Sequence, residues 1–169
     1  MAFEPVQNYF QQQQLQDRIQ LFDRDTESVK EAATWLGTAL GSIAKSIVFE
    51  IDDRLLMVVC SSDDRIDPLK YEMQFGCDPI MLPDNQVYDK IGHQVGGVCP
   101  FVLPDIVDVY LDMTLRRFPR VYPAAGSRNS VIGLTPDELF THSGAISWKY
   151  LCQGSDEYGR SNFHPSQLR

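Results

Sequence analysis

Residues 92–100, which read GHQVGGVCP, are the stretch of this chain best suited to chemistry. Three glycines within nine residues allow left-handed dihedral angles and let another group approach the main chain closely. Such a loop can turn the backbone N–H groups of Gly96, Gly97 and Val98 inward as a nest that binds an anion. The alternative is a tight connection before a strand, and the loop alone favours that alternative slightly, because the Walker spacing is absent.

Two side chains of this loop invite a catalytic interpretation. Cys99 could act as a nucleophile, but a reactive thiol needs a lowered pKa and the sequence shows no base beside it, so we interpret it as a small apolar pocket wall. His93 could act as a general base, but we favour a histidine that hydrogen-bonds the turn or faces solvent. A covalent triad is not predicted, because no GxSxG elbow is present.

Lys45 lies in the β-rich run IAKSIVFEI, where strand alternation places it on one face with Ile47 and Phe49. Spacing alone favours a stem that lies along the sheet and an ammonium that reaches water. Asp112 follows another strand-like run, and a carboxylate at a strand end usually caps a turn or pairs with a cation such as Lys45 or Arg116.

The composition is that of one globular domain with a real core: 169 residues, 43% apolar. A net charge of −8 excludes a general nucleic-acid coat protein and leaves room for a small local contact. The one concentration of positive charge, which we interpret as a solvated basic face, is Arg116, Arg117, Arg120 and Arg128.

Neither a membrane anchor nor a metal site is expected. The longest apolar run, residues 55–60, is far shorter than the roughly 20 residues of a spanning helix, and no signal peptide is visible, so we expect a cytoplasmic protein. The four cysteines form no CxxC pair and show no zinc spacing with the three histidines, which predicts reduced thiols and no cofactor.

The elements that must position these residues alternate between helix and strand. Residues 5–19 predict an amphipathic helix at the domain edge, followed by a strand over 19–22 and a helix from an N-cap at Thr26 to Gly37. A hairpin is predicted over 43–62, joined across Asp52 and Asp53. Further helices are predicted over 67–76, over 84–91 and from Thr135 onward, and further strands over 79–82, 107–111, 121–125 and 130–134. The tail over 154–169 is polar and is expected to be loose.

Together these motifs carry a family resemblance. The run Ala44-Lys45-Ser46-Ile47-Val48, then Gly92 with Gly96-Gly97-Val98-Cys99-Pro100, Asp112 and the turn Ala124-Ala125-Gly126-Ser127 resemble the YbaK/EbsC family of prolyl-tRNA-synthetase-associated editing proteins. The similarity runs over residues 27–148 with order and spacing preserved.

The resemblance implies a single mixed α/β domain around a mixed or antiparallel sheet, and hydrolysis of the ester in a mischarged aminoacyl-tRNA. By position, Lys45 matches the lysine that the family needs for activity, and Gly97 and Val98 would supply N–H donors to the developing oxyanion. Residues that match substrate-side positions are Ser46, Gly92, His93, Gly96, Cys99, Pro100, Asp112, Ala125, Gly126 and Ser127. Ser46 replaces the threonine or asparagine of several relatives, and Ala124-Ala125 replaces a serine-containing turn, so the amino acid removed stays open.

The implied partner is the aminoacylated 3′ end of a tRNA, delivered by a prolyl-tRNA synthetase or an elongation factor. The alternative is a non-catalytic relative that binds a nucleotide, an oligonucleotide end or a protein through the same cleft. Retention of Lys45 and the glycine loop favours the enzyme. The two hypotheses differ on whether Lys45 points into the same cavity as the backbone of residues 96–100.

Overall fold

A mixed sheet of six strands occupies the centre of the structure, a computed structural model that describes residues 2–25 and 28–156. Its strands are β2 (Ile43–Ile51), β3 (Arg54–Ser61), β4 (Ile80–Met81), β5 (Val107–Asp112), β6 (Tyr122–Pro123) and β8 (Ser147–Lys149). The order is β4-β2-β3-β5-β8, and β6 pairs with the start of β2. A second sheet pairs β1 (Ile19–Leu21) with β7 (Ser130–Ile132). The predicted mixed α/β fold is confirmed.

The hairpin of β2 and β3 forms the antiparallel part of the sheet. Its turn is Asp52-Asp53, and Asp52 takes a left-handed φ of 52°, which aspartate tolerates better than most residues. Strand β5 pairs in parallel with β3, and β8 pairs in parallel with β5. Because β3 is central, it is buried from Leu55 onward on both faces, as its continuous apolar run predicts.

The two faces of the sheet carry separate apolar clusters. Ala44 and Val48 of β2 belong to the larger cluster, and Phe49 belongs to the smaller one, as strand alternation requires. Helices α1 (Phe3–Gln12), α4 (Asp84–Ile91) and α5 (Pro136–Ser143) bury residues in the larger cluster. Helix α3 (Pro68–Phe75) covers the other face through Tyr71. Helix α2 (Val29–Leu36) packs on a third, small cluster at the sheet edge.

Helix boundaries follow capping chemistry. Asp67 accepts a hydrogen bond from the Leu69 N–H at the start of α3, and Thr135 and Glu138 form a capping box at the start of α5. Helices α2, α3 and α4 end at glycines with positive φ, namely Gly37, Gly76 and Gly92. The predicted ends of these helices are confirmed.

The N-terminal helix differs from its prediction in length. It ends at Gln12, and a short 3-10 turn over Gln16–Arg18 separates it from β1, because the glutamine run supplies no apolar face that could continue it. Val6 and Phe10 are fully buried, and the Phe10 ring packs edge-on against Phe101 with centroids 4.8 Å apart. The predicted amphipathic helix is confirmed, and its buried face belongs to the main core.

Other element boundaries also differ from those that the sequence predicts. The side chain that caps α2 is Ser28, which accepts from the Glu31 N–H, while the predicted cap Thr26 lies outside the described residues. Strand β8 was not predicted, because its three residues form a strand through their pairing with β5, which no local pattern reveals. At the start of the predicted loose tail, Ser155 is buried and Asp156 pairs with Lys70 at 3.1 Å; the tail from residue 157 is outside the described part of the chain.

Across the described residues, no helix has the length and apolar character needed to cross a bilayer.

Candidate active site

A pocket of about 390 Å³ opens at the exposed edge of β2, between the segments that pair with its two ends. Strand β6 pairs with Ile43 and Ala44, and β4 pairs with Phe49 and Glu50, so the middle of β2 has no strand beside it on this edge. The pocket straddles this gap. Its other walls come from α2, from the start of α4, from the glycine loop and from the turn that precedes β7.

Ser46 lies at the centre of the gap. The carbonyl of Ile43 accepts from Ser62 on the β3 side, and that of Val48 accepts from Leu82 on the open side. Since backbone groups alternate along a strand, the N–H and C=O of Ser46 point toward the opening. Its hydroxyl oxygen is buried and finds no partner among the described residues. Ser46 therefore presents a donor and an acceptor of the backbone to a ligand in the pocket.

Lys45 also lines the pocket, together with Gly96 and Val98 of the glycine loop. Its ammonium donates to the backbone carbonyl of Asp64 at 2.5 Å. An ammonium has three N–H donors, and this bond uses one of them. Lys45 and the loop thus line one cavity, while the ammonium of Lys45 is bonded to the segment that follows β3.

The glycine loop is packed against its own chain. A Cβ on Gly97 would lie 2.9–3.2 Å from backbone atoms of Ser127, and a Cβ on Gly96 would lie 2.8 Å from Nε of Arg128. That Nε donates to the carbonyl of Val95 at 2.8 Å. The group that approaches the glycine backbone closely is therefore the turn at 127–128, rather than a ligand alone.

This packing corrects the predicted nest of three N–H groups. The Gly97 N–H donates to the carbonyl of Gln94 at 2.9 Å, so it closes a turn within the loop and does not point at the pocket. Gly97 itself does not line the pocket, whereas its neighbours Gly96 and Val98 do. The donors that remain for a developing oxyanion are the N–H groups of those two residues.

His93 and Cys99 stabilise the loop from behind. The Nδ1 atom of His93 accepts from the Cys99 N–H at 3.2 Å, and its Nε2 atom is buried without a partner among the described residues. Burial lowers the pKa of His93 and raises the pKa of Cys99 to about 12. The interpretation of His93 as a turn histidine is confirmed. Cys99 is a core residue rather than a pocket wall, since neither side chain reaches the pocket.

Asp112 lies apart from the pocket and has a structural role. Its carboxylate accepts from the Thr114 N–H at 2.8 Å, and from the N–H groups of Leu151 and Cys152 at 2.7 and 3.0 Å. Burial raises its pKa, and these bonds partly oppose the rise. The prediction that a strand-end carboxylate caps a turn is confirmed, and Asp112 is not among the residues that line the pocket.

The other predicted substrate positions divide between the pocket and its supports. Ser127 lines the pocket, while Ala125 and Pro100 are buried outside it. Gly92 is the C-cap of α4. Gly126 has a φ of 98°, and a Cβ there would lie 2.7 Å from the Cα of Phe3, so the start of α1 is the group that requires glycine at this position.

Several pocket residues had no signal in the sequence. Leu82 and Val87 form an apolar wall together with Val48 of the quoted motif, and Phe22 and Ala32 come from segments that lie farther away in the sequence. Only the tertiary arrangement brings these residues together, although strand alternation does predict that Val48 and Ser46 share a face.

The arginines of the predicted basic face lie in different surroundings in the structure. Arg116 pairs with Asp137 at 3.1 Å, and Arg117 pairs with Asp63, so both serve local structure. Arg128 lines the pocket, and its side chain is exposed. Within residues 2–25 and 28–156, no group of three or more histidine, cysteine or acidic side chains is arranged to hold a metal ion.

Comparison with known proteins agrees with this architecture. Residues 23–141 match the family of the aminoacyl-tRNA editing domain. The chain is 39% identical over 154 residues to the uncharacterized protein YwhH of Bacillus subtilis (strain 168), covering 90% of this chain and 98% of that protein. It is 29% identical over 99 residues to a proline–tRNA ligase of Staphylococcus saprophyticus, of which the match covers 17%.

A solved structure described as a candidate trans-editing enzyme for prolyl tRNA synthetase superposes with a TM-score of 0.82 at 27% identity. The superposition covers 90% of this chain and 98% of that chain. The shared fold, the glycine loop at its pocket and the match over residues 23–141 lead to one conclusion: this chain belongs to the aminoacyl-tRNA editing domain family.

Proposed function

We propose that this protein is a trans-editing aminoacyl-tRNA deacylase, which hydrolyses the ester of a mischarged tRNA that carries a small amino acid such as alanine, cysteine or serine. The observation that carries the proposal is the pocket itself, which is lined by Lys45 and Ser46 of β2 and by Gly96 and Val98 of the glycine loop. The proline tRNA is the expected carrier, because relatives include a proline–tRNA ligase and a candidate trans-editing enzyme for prolyl tRNA synthetase.

The reaction needs few groups. A water oxygen attacks the ester carbonyl carbon and negative charge develops on the carbonyl oxygen. The bond to the ribose oxygen then breaks, and that oxygen takes up the proton that the attacking water loses. The N–H groups of Gly96 and Val98 are the proposed donors to the oxyanion, typically worth a few kcal/mol each in such sites. Because the ester is already activated, positioning against these donors supplies most of the remaining effect.

Lys45 and Ser46 are the proposed positioning groups. The ammonium of Lys45, held at one side by Asp64, can donate to a ribose hydroxyl or to the ester with its remaining N–H groups. The backbone C=O of Ser46 can accept from the α-ammonium of the amino acid, and its N–H can donate to the substrate. A small side chain would then lie against the apolar wall of Val48, Leu82 and Val87.

Selection among alanine, cysteine and serine rests on this wall and on the buried hydroxyl of Ser46. A difference of one methylene in an apolar pocket is worth about 1–3 kcal/mol, so we expect a preference rather than complete exclusion. The enzyme would act in the cytoplasm on tRNA released by a prolyl-tRNA synthetase or carried by an elongation factor.

The proposal is tested by hydrolysis of a panel of aminoacyl-tRNAs by the wild-type protein. The panel contains alanyl-, cysteinyl- and seryl-tRNA with the proline anticodon, together with correctly charged prolyl- and alanyl-tRNA. Faster release from one or more mischarged members than from the correctly charged ones supports editing. Release at the uncatalysed rate from every member, by folded protein, would contradict it.

The second candidate is a binding module that uses the same pocket without catalysis. It is favoured by the bond between the Lys45 ammonium and the Asp64 carbonyl, which occupies part of the group that the enzyme needs. Tight binding of an aminoacyl-tRNA without release of the amino acid would support this candidate.

A further inference from the structure

The α-ammonium of the aminoacyl group has one binding partner in the proposed mechanism, the backbone carbonyl of Ser46. A free α-amino group has a pKa of about 8, so it is mostly an ammonium at pH 7. In an aminoacylated RNA end that carries alanine, cysteine or serine, this is the one positive charge. An ionised acceptor binds such a cation more strongly than a neutral carbonyl does. Any carboxylate at the pocket is therefore informative.

Asp84 supplies the only carboxylate that lines the pocket among the described residues, and the other charged side chains there are Lys45 and Arg128. Asp84 is exposed, and no ion pair or hydrogen bond joins its side chain to another residue in the described part of the chain. This carboxylate can therefore take a cationic partner from a ligand without first losing one from the protein.

The register of the sheet leads from β4 to Asp84. Strands β4 and β2 are antiparallel, and just beyond their last pair the Leu82 N–H donates to the carbonyl of Val48 at 2.9 Å. Pro83 has a φ of −59° and a ψ of 141°, so the chain is still extended there. Continued to Asp84, this register reaches Ser46 on β2, whose backbone N–H and C=O point toward the same opening.

Helix α4 begins at Asp84 and turns the chain away from the gap. Val87 of this helix also lines the pocket, and residues three apart share one face of a helix, so Asp84 lies on the pocket side of α4. A carboxylate in the first turn of a helix is also favoured by the helix dipole, and that role needs no ligand. A test must therefore separate binding of an ammonium from support of the helix.

We propose that Asp84 binds the α-ammonium of the aminoacyl group together with the backbone carbonyl of Ser46, and so fixes the ester in the pocket. The inference rests on the proposed function, because it takes an aminoacylated RNA end as the ligand. Asp84 is a substrate-binding residue in this account, and it distinguishes a free α-amino group from an acylated one. The α-nitrogen of a peptidyl-tRNA is an uncharged amide, so this contact disfavours hydrolysis of peptidyl-tRNA.

The test is a binding experiment that does not depend on turnover. One probe is 3′-alanylamido-3′-deoxyadenosine, in which an amide replaces the ester. The other is 3′-lactylamido-3′-deoxyadenosine, in which a hydroxyl also replaces the ammonium. Dissociation constants are measured by calorimetry at pH 7 for the wild type, Asp84→Asn and Asp84→Glu. Asp89→Asn is the matched control, because Asp89 is an exposed carboxylate of the same helix that does not line the pocket.

The wild type and Asp89→Asn should bind the ammonium probe about tenfold more tightly than the hydroxyl probe, as one charge-assisted contact predicts. Asp84→Asn should lose most of this preference and keep its affinity for the hydroxyl probe, and Asp84→Glu should retain part of the preference.

Three results overturn the inference. An equal loss of affinity for both probes in Asp84→Asn would show that Asp84 only supports the start of α4. An unchanged preference in Asp84→Asn would leave the ammonium to the carbonyl of Ser46 alone. Failure of both probes to bind the wild type at millimolar concentration would show that the pocket does not take an aminoacylated nucleoside.

Failure of the proposed function would look different. If the wild type releases no amino acid from any tRNA but still prefers the ammonium probe through Asp84, the contact stands and the hydrolytic function fails. If the wild type hydrolyses mischarged tRNA but shows no preference between the probes, the function stands and this inference fails.

Discussion

The Nδ1 atom of His93 accepts a hydrogen bond from the backbone N–H of Cys99 at 3.2 Å, and both side chains are buried. This bond joins the first part of the glycine loop to its last part. His93 can accept it only while Nδ1 carries no proton, so the neutral imidazole is part of the folded loop. The loop next to the pocket is therefore stabilised by a histidine that does not itself line the pocket.

The first prediction concerns stability against pH. Burial lowers the pKa of His93 below its ordinary value of 6.5, so the unfolded chain binds a proton at a higher pH than the folded protein does. The contribution of His93 is complete above pH 6.5 and is lost as the pH falls from there toward the folded pKa. The free energy of unfolding of the wild type, measured by urea denaturation, should fall in this window by up to about 1.4 kcal/mol per pH unit.

The control for this effect is His93→Gln, whose amide can accept the same bond but does not titrate. The variant should lack the part of the slope that His93 contributes. An identical slope in wild type and variant would show that His93 keeps an ordinary pKa.

The second prediction concerns the glycine loop. Gly97→Ala places a Cβ 2.9–3.2 Å from backbone atoms of Ser127, which cannot move as a side chain can, so the loop must shift away from the turn. We expect kcat/KM for mischarged tRNA to fall by about a hundredfold, as small misplacements of a site can cause. Gly37→Ala is the comparison, because nothing lies within 4 Å of a Cβ there and its cost comes from the positive φ alone. Gly37→Ala should lower stability and leave kcat/KM unchanged.

The third prediction concerns thiol reactivity. Because burial raises the pKa of Cys99 to about 12, the folded protein should present almost no thiolate there at pH 8. Iodoacetamide followed by mass spectrometry should label the partly exposed Cys77 first, and Cys99 only in denaturant. Cys99→Ala should keep deacylation within a few fold of the wild type. Rapid labelling of Cys99 in the folded protein, with loss of activity, would contradict this prediction and indicate that Cys99 acts as a nucleophile.

The fourth prediction concerns Asp112. An asparagine can offer one oxygen where the carboxylate offers two, so Asp112→Asn leaves at least one of the three backbone N–H groups without its acceptor. The free energy of unfolding should fall by about 2–3 kcal/mol. Deacylation measured well below the melting temperature should be unchanged, because Asp112 lies outside the pocket. A loss of kcat/KM with unchanged stability would instead place this carboxylate in the reaction.

Local chemistry made much of the fold predictable. Capping residues, C-terminal glycines and the β2–β3 alternation fixed α3, α4 and the central hairpin, because these signals act within a few residues. The N-terminal helix is predicted at the domain edge because its apolar residues are only loosely helical in spacing, and the full burial of Val6 and Phe10 depends on tertiary packing. The three-residue strand β8 depends on pairing with β5, which no local pattern reveals.

The site was less predictable, because its residues also meet through tertiary contacts that no local pattern reveals. The motif residues Lys45, Ser46, Gly96, Val98 and Ser127 do meet at the pocket. The family resemblance implies an oxyanion donor at Gly97 and a substrate-side position at Gly126, whereas the close neighbours that require glycine there are Ser127 and the start of α1. A glycine that permits close approach does not reveal what approaches, so the sequence could not separate a ligand from the chain itself.

The measurement that tests the central proposal most directly is single-turnover hydrolysis of mischarged proline tRNA by the wild type, by Lys45→Ala and by Lys90→Ala. Lys90 forms an exposed ion pair with Glu50 outside the pocket, so its removal controls for the loss of a lysine. We predict that the wild type and Lys90→Ala release the amino acid at equal rates and that folded Lys45→Ala is at least about a hundredfold slower. Equal rates for Lys45→Ala and the wild type, or no release by the wild type, would contradict the account.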